Sequence, residues 1–328
     1  MLRKFIISIS FLMVACTLRA ENLTIYTYDS FTSDWGPGPL ITEAFEQECN
    51  CEIEWRSGVD AAALLSLLKL EGENSKADVI LGLDTNLMAE AVGSGLVSPH
   101  GIDASYTLPI DWDDPHFVPY DYGYFALMYD SEALPNPPQS MEELVAGGSE
   151  KDLIIQDPRT SSPGLGFVFW LRSLYGEDTP EAWSSLSSRI LTVTPGWGEA
   201  YGMFTNGEAP MVMSYTTSQS YHEVVEETSR YKALIFPEGH YMQVEVAGIG
   251  AYSDQSELAR DFLEFLVSEQ AQQFIPTTNW MYPVVDVGES VPEAMKALEQ
   301  PEINFLLDPQ EADEVREVWI AEWLASMN

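Results

Sequence analysis

The sequence predicts an α/β protein of two lobes, each built on an open α/β sheet. Three observations carry that prediction. Short uninterrupted apolar runs such as Val79-Ile80-Leu81-Gly82-Leu83 have the length and composition of strands buried on both faces. Helical patterns stand between such runs, giving a β-α-β-α-β order that folds through right-handed crossovers. Extended, aromatic-rich segments near 117–124 and 240–247 fit as the connections between two lobes, and 328 residues are enough for two domains.

Taken in order, Leu23 to Asp29 is rich in β-branched and aromatic residues and ends in turn formers, so it reads as a strand. Gly36-Pro37-Gly38-Pro39 punctuates the chain, and a helix begins with Pro39 in its first turn, with Leu40, Ile41, Ala44 and Phe45 on one face. Cys51, Ile53 and Trp55 alternate with Glu52, Glu54 and Arg56, the pattern of a half-exposed strand. Residues 59–70 form a Leu-rich helix. Ligands of open sheets bind at strand carboxyl ends, here Tyr28-Asp29-Ser30, Ser57 to Ala61 and Asp84-Thr85-Asn86.

The second half repeats the style. Phe117 to Tyr129 is extended, and Leu153 to Asp157 is a buried strand. Ser161-Ser162-Pro163-Gly164-Leu165-Gly166 opens an apolar helix running to about Leu174. Met211 to Tyr215 is a strand that runs into the polar loop Thr216-Thr217-Ser218, and Gln243 to Ala251 is another strand. Leu258, Phe262, Phe265 and Leu266 share a helical face. The final helix is expected to carry Val315, Val318, Trp319 and Trp323 on one face, as structural residues.

Residues 1–20 stand apart. Arg3 and Lys4 precede the apolar run Phe5 to Ala15, and Leu18-Arg19-Ala20 ends in a small residue, the pattern of a secretory leader cleaved after Ala20. Met13-Val14-Ala15-Cys16 offers a lipoprotein-type cleavage as the alternative. Either way the mature chain is exported and soluble, with no later run long enough to span a bilayer. The whole chain carries 52 acidic against 15 basic residues, a net charge of −37. Loss of the leader removes Arg3, Lys4 and Arg19 and no acid. That charge excludes nucleic acid as a partner, because phosphates would be repelled. With hydrophobic residues at 45%, it describes a solvated coat on a folded core rather than disorder. The mature cysteines, Cys49 and Cys51, form a local disulfide or a buried reduced pair; they lack the further ligands of a zinc site.

The chain has no G-x-S-x-G elbow, no phosphate-loop motif and no complete dinucleotide fingerprint; Gly248-Ile249-Gly250 marks a turn or a close backbone approach. Paired carboxylates say nothing when acids are so common. No residue demands catalysis. Binding features are stronger. Ser161 and Ser162 stand at a strand-to-helix junction, where free N–H groups make an anion site, or where one serine simply caps the helix. Tyr215, Thr216, Thr217 and Ser218 offer four consecutive hydroxyls, for a polar ligand or for an ordinary turn. Tyr28, Trp35, Trp197, Tyr221 and Trp280 stand near turns, where flat aromatic faces suit a flat, cationic heteroaromatic ligand.

Motifs spread along the mature chain, among them Asp34-Trp35-Gly36-Pro37-Gly38-Pro39, Asp121-Tyr122-Gly123-Tyr124-Phe125-Ala126, Gln156-Asp157-Pro158-Arg159-Thr160-Ser161 and Asn279-Trp280-Met281-Tyr282-Pro283, closely resemble the periplasmic thiamine-binding proteins of bacterial ABC transporters. The resemblance implies a two-lobed periplasmic-binding-protein fold of the second type, with ligand in the interlobe cleft. It implies residues 21–118 plus 243–282 as one lobe and 119–242 plus 283–328 as the other. It also implies a monomer that captures thiamine, thiamine monophosphate and thiamine diphosphate and delivers them to an inner-membrane permease with a cytoplasmic ATPase, without a cofactor or catalysis. By matching position, ligand contacts fall on Asp60, Ala61, Ser161, Ser162, Trp197 and Tyr215 to Ser218, and aromatic contacts on Tyr28, Trp35, Tyr221 and Trp280. Asp60 or a backbone group near it is expected at the aminopyrimidine, with Ser161, Ser162, Thr217 and Ser218 at the hydroxyl or phosphate. Ala61 stands where the familiar relative has Gly, which matters if an unusual dihedral is needed there. A thiaminase of the first type needs a cleft cysteine, and an iron carrier needs adjacent tyrosines, whereas Tyr215 and Tyr221 are six apart.

Overall fold

The computed structural model describes residues 21–58, 60–148 and 150–327. The expected leader, with its cleavage after Ala20 or at Cys16, lies outside the described residues. Among them the strands are β1 (Glu21–Tyr28), β2 (Cys51–Gly58), β3 (Val79–Asp84), β4 (Val97–Ser98), β5 (Phe117–Asp130), β6 (Leu153–Gln156), β7 (Ile190–Thr194), β8 (Met211–Tyr215), β9 (Tyr231–Ala233), β10 (His240–Gly250), β11 (Tyr282–Pro283) and β12 (Asn304–Phe305).

Hydrogen bonding runs without a break in the order β2-β1-β3-β10-β5-β8-β6-β7. β1 is parallel to both β2 and β3, the pairing that the first β-α-β-α-β unit predicts. The register sets Tyr28 opposite Gly58, so the carboxyl ends of β1 and β2 finish together. β10 lies antiparallel between β3 and β5. The first half of β5 pairs with β10, and the second half, from Phe125 on, pairs with β8 and β9. One long strand therefore belongs to both sheets, and β10 reaches the same junction from the other side. The fold is the expected two-lobed one, and its crossing strands are the aromatic segments singled out in the sequence.

Gly248 and Gly250 lie inside β10 and resolve the turn-or-approach alternative. A Cβ on Gly250 would stand 2.0 Å from the carbonyl oxygen of Ala77, so the strand needs glycine there for close approach. The cysteine alternative is settled as well, because Cys49 and Cys51 are joined in a disulfide with Cα atoms 5.2 Å apart.

Two readings need correction. Trp197 does not sit in a loop. It opens the helix Trp197–Thr205, because Ala200, Tyr201 and Phe204 recur at helical spacing and bury themselves against the sheet. In the last helix, Pro309–Ser326, Val318 is 57% exposed. The packed face runs through Ala312, Arg316, Trp319 and Trp323, and Val318 is rotated off it. Trp319 and Trp323 are structural as expected, meeting Phe169 and Trp183 edge to face. Arg316 pairs with Glu90, and Arg172 reaches Glu322 at 3.2 Å.

Candidate functional site

Asp60 is the N-cap of the helix Ala61–Glu71, its Oδ1 accepting from the Ala61 N–H at 2.8 Å. Its other oxygen accepts from the Ser161 hydroxyl at 2.7 Å and from the Trp197 N–H at 3.3 Å. Three helix N-termini thus converge on one buried carboxylate, from Ala61–Glu71, Ser162–Tyr175 and Trp197–Thr205. Burial raises the Asp60 carboxyl above its ordinary range, and these donors pull it back. A backbone bond from Ala63 N–H to the Thr160 carbonyl, at 3.2 Å, ties the same two segments. Ala61 is an ordinary helical residue; the described non-glycine residues with positive φ are Asn50, Glu227 and Trp280, so no unusual dihedral is needed at position 61.

The capping alternative for the serines does not hold. No side chain caps the helix Ser162–Tyr175: the Ser161 hydroxyl turns to Asp60 instead, and the buried Ser162 Oγ has no hydrogen-bond partner. Asp60 and Ser161, expected at the aminopyrimidine and at the hydroxyl or phosphate respectively, are in direct contact.

The hydroxyl run at the end of β8 is built into neighbouring elements. Ser214 receives the Trp197 indole N–H at 2.8 Å and lies 2.9 Å from the Ser218 hydroxyl. Tyr215 stacks on Phe125 and donates to the Gln243 side chain at 2.9 Å. Thr216 donates its N–H to the Tyr124 carbonyl and keeps a buried, unpartnered Oγ1, while Thr217 contacts the Met281 sulfur. Behind Trp197, Tyr201 stacks on the indole and bonds to buried His222, which bonds to Glu226 in turn. Burial lowers the His222 pKa.

Of the aromatic candidates, Tyr221 and Trp280 meet edge to face with centroids 5.5 Å apart. Trp280 holds φ of +55°, a conformation costly for a side-chain-bearing residue. Trp35 stands apart at 55% exposure. Tyr28 offers no open face. It is buried, packs its edge on Phe31, and donates its hydroxyl to Glu245 at 2.7 Å.

That bond leads to residues the sequence reading passed over. In the strand register, Glu245 of β10 stands opposite Asp84 of β3 on one side and Asp121 of β5 on the other. Glu245 accepts from Tyr28, from Tyr120 at 2.5 Å and from the Gln243 amide at 2.9 Å. Asp121 accepts from Asn279, next to Trp280, at 2.5 Å. Asp84 Oδ1 accepts from the Asn86 N–H at 2.9 Å. Asp84 Oδ2, Asp121 Oδ1 and the Asn86 amide nitrogen are buried without partners. Burial pushes the Asp84 carboxyl up to about 6 and Glu245 to about 7; burial and the Glu245 charge raise Asp121 well above the carboxylate range.

The family model of bacterial extracellular solute-binding proteins matches residues 74–306. The chain is 52% identical over 307 residues to the thiamine-binding periplasmic protein of Brucella abortus, covering 93% of this chain and 92% of that one. It is 48% identical over 316 residues to the protein of the same name from Escherichia coli, covering 95% and 96%. Among solved structures, a periplasmic thiamin binding protein superposes with a TM-score of 0.91 at 48% identity, covering 94% of this chain and 97% of that one.

Proposed function

The chain belongs to the bacterial extracellular solute-binding proteins and, within them, to the thiamine-binding periplasmic proteins, and from that premise we propose how it works. It captures thiamine and its mono- and diphosphate in the cleft between the lobes and delivers them, as a monomer, to an inner-membrane permease with its ATPase. Residues 21–118 with 243–282 form one lobe, and 119–242 with 283–328 the other. Its work is binding and delivery, with no bond made or broken. The two rival readings find less support: Cys49 and Cys51 are paired with each other, and Tyr215 is committed to Gln243.

The observation that carries the reading is the convergence of three helix N-termini at Asp60, Ser161 and Trp197 in the same molecule as the Tyr221–Trp280 pair. Helix N-termini favour an oxyanion such as the hydroxyl-borne phosphate, and aromatic faces favour the thiazolium. Ala61, Ser162 and the hydroxyls of Thr216, Thr217 and Ser218 complete the polar lining, with Tyr28 beneath it and Trp35 at the rim. Lobe closure over the ligand gives the permease a shape to read. Calorimetric titration with thiamine, its monophosphate and its diphosphate tests this. Saturable heat with tryptophan quenching is expected, and no heat at a concentration on the order of tens of micromolar overturns it.

A further inference from the structure

Asp84, Glu245 and Asp121 occupy one register line across three neighbouring strands, β3, β10 and β5. Neighbouring strands lie roughly 5 Å apart, so the carboxyl groups are close enough to repel one another strongly when ionised in a buried setting. Among the described residues, none of the three hydrogen-bonds or ion-pairs with a lysine, arginine or histidine. The groups around them are Asp60 from its helix cap, Ser162, Asn86 and Tyr241 near Asp84, and Tyr28, Tyr120, Tyr215, Gln243 and Asn279 near Glu245 and Asp121. All are neutral donors or further acids. Burial keeps water from screening the row. The row is also not disposed as a metal-ion site, since no group of His, Cys, Asp or Glu among the described residues has that arrangement.

A row of this kind is incomplete without positive charge. Asp84 Oδ2 and Asp121 Oδ1 are buried without a well-formed hydrogen bond, with only the Ser162 hydroxyl beside Asp84 and the Glu245 carboxyl beside Asp121. The row also reaches the cleft. Gln243 joins Glu245 to the Tyr215 hydroxyl through two hydrogen bonds of 2.9 Å, and Asn279, the residue before Trp280, donates to Asp121. Resting on the assignment of the cleft to thiamine, we infer that this row reads the fixed positive charge of the ligand: it stays partly protonated when the site is empty and releases protons to solvent as an azolium enters. A neutral ligand of the same shape would leave those protons in place. Charge selectivity then comes from carboxyls below the cleft as well as from the rings lining it.

The test is calorimetry at constant pH near neutrality in buffers of different ionisation enthalpy, which counts protons released per ligand bound. The probes are thiamine and an analogue whose thiazolium is replaced by neutral thiophene. The neutral analogue has the more basic pyrimidine, so the count for each probe is corrected with that probe's own solution titration. Thiamine should release about one proton more than the analogue. Glu245→Gln, which keeps an acceptor for Tyr28 and Tyr120, should shrink that difference; Asp121→Asn serves equally if the first variant melts early. Binding of thiamine with equal proton counts for the two probes overturns the inference. Absence of thiamine binding altogether overturns the ligand assignment instead.

Discussion

The hydroxyl of Ser161 donates to Asp60 Oδ2 across 2.7 Å, joining two helix N-termini whose anchoring residues stand 101 positions apart. Because Asp60 also caps the helix Ala61–Glu71, one carboxylate serves both local and long-range order. Asp60→Ala should lower stability by about 1 kcal/mol through the lost cap alone. Ser161→Ala should raise the dissociation constant for thiamine monophosphate roughly fivefold, because Asp60 loses its hydroxyl donor and its charge opposes the phosphate more strongly. Thermal melts and titrations read the two effects separately, and a Ser161→Ala protein that binds like the parent would remove this contact from the site.

Trp280 combines a ring in contact with Tyr221 and a backbone at φ of +55°. Glycine adopts that φ freely, so Trp280→Gly should separate two roles that Trp280→Ala confounds. Thiamine affinity should fall by about 1 kcal/mol or more with the lost cation–π surface. The melting temperature should hold or rise. Unchanged affinity would show that the ring faces away from the ligand.

Gly250→Ala drives a methyl group against the Ala77 carbonyl oxygen, which belongs to backbone and cannot swing aside. A loss of about 1–3 kcal/mol is expected by denaturant unfolding. A neutral outcome would mean that β10 can shift at this point.

Stability should also depend on pH through the carboxyl row. Burial raises Asp84 from 3.8 to about 6 and Glu245 from 4.5 to about 7. The folded state therefore binds more protons than the unfolded one between those limits. This contribution is full below the ordinary values and is lost as pH rises through about 6 and then about 7. Buried His222 and His240, both lowered, act in the opposite direction, so the wild type must be compared with Glu245→Gln rather than judged alone. The gap between their melting temperatures should narrow or reverse in favour of the variant from about pH 5 to about pH 8. Parallel curves would show Glu245 titrating in the same way in both states.

The strands were legible because burial on both faces leaves unbroken apolar runs, as in Val79 to Leu83 and Leu153 to Gln156. Helix starts were legible at Pro39 and Pro163, where proline suits the first turn. Trp197 misled because flanking glycines resemble a loop until Ala200, Tyr201 and Phe204 are seen to share a face. The carboxyl row was invisible for a different reason. In a chain with 52 acids, no pair stands out, and only strand register places Asp84, Glu245 and Asp121 side by side. Asp121 had even been quoted within a motif, without a role. The Asp60–Ser161 contact was likewise beyond any local pattern, since its residues stand 101 positions apart.

The position of β10 bears on the order in which the molecule can assemble. Residues 240–250 insert between β3 and β5, strands that precede them by well over a hundred positions. Until Gly250 has emerged, β3 and β5 present open edges to solvent, and the sheet cannot close across them. Pairing at such sequence separation is slow to form. A chain that crosses a membrane amino end first would thus travel with its central strand still to come, and remain unfinished until most of its length is on the far side. The late strand makes the protein slow to fold too early.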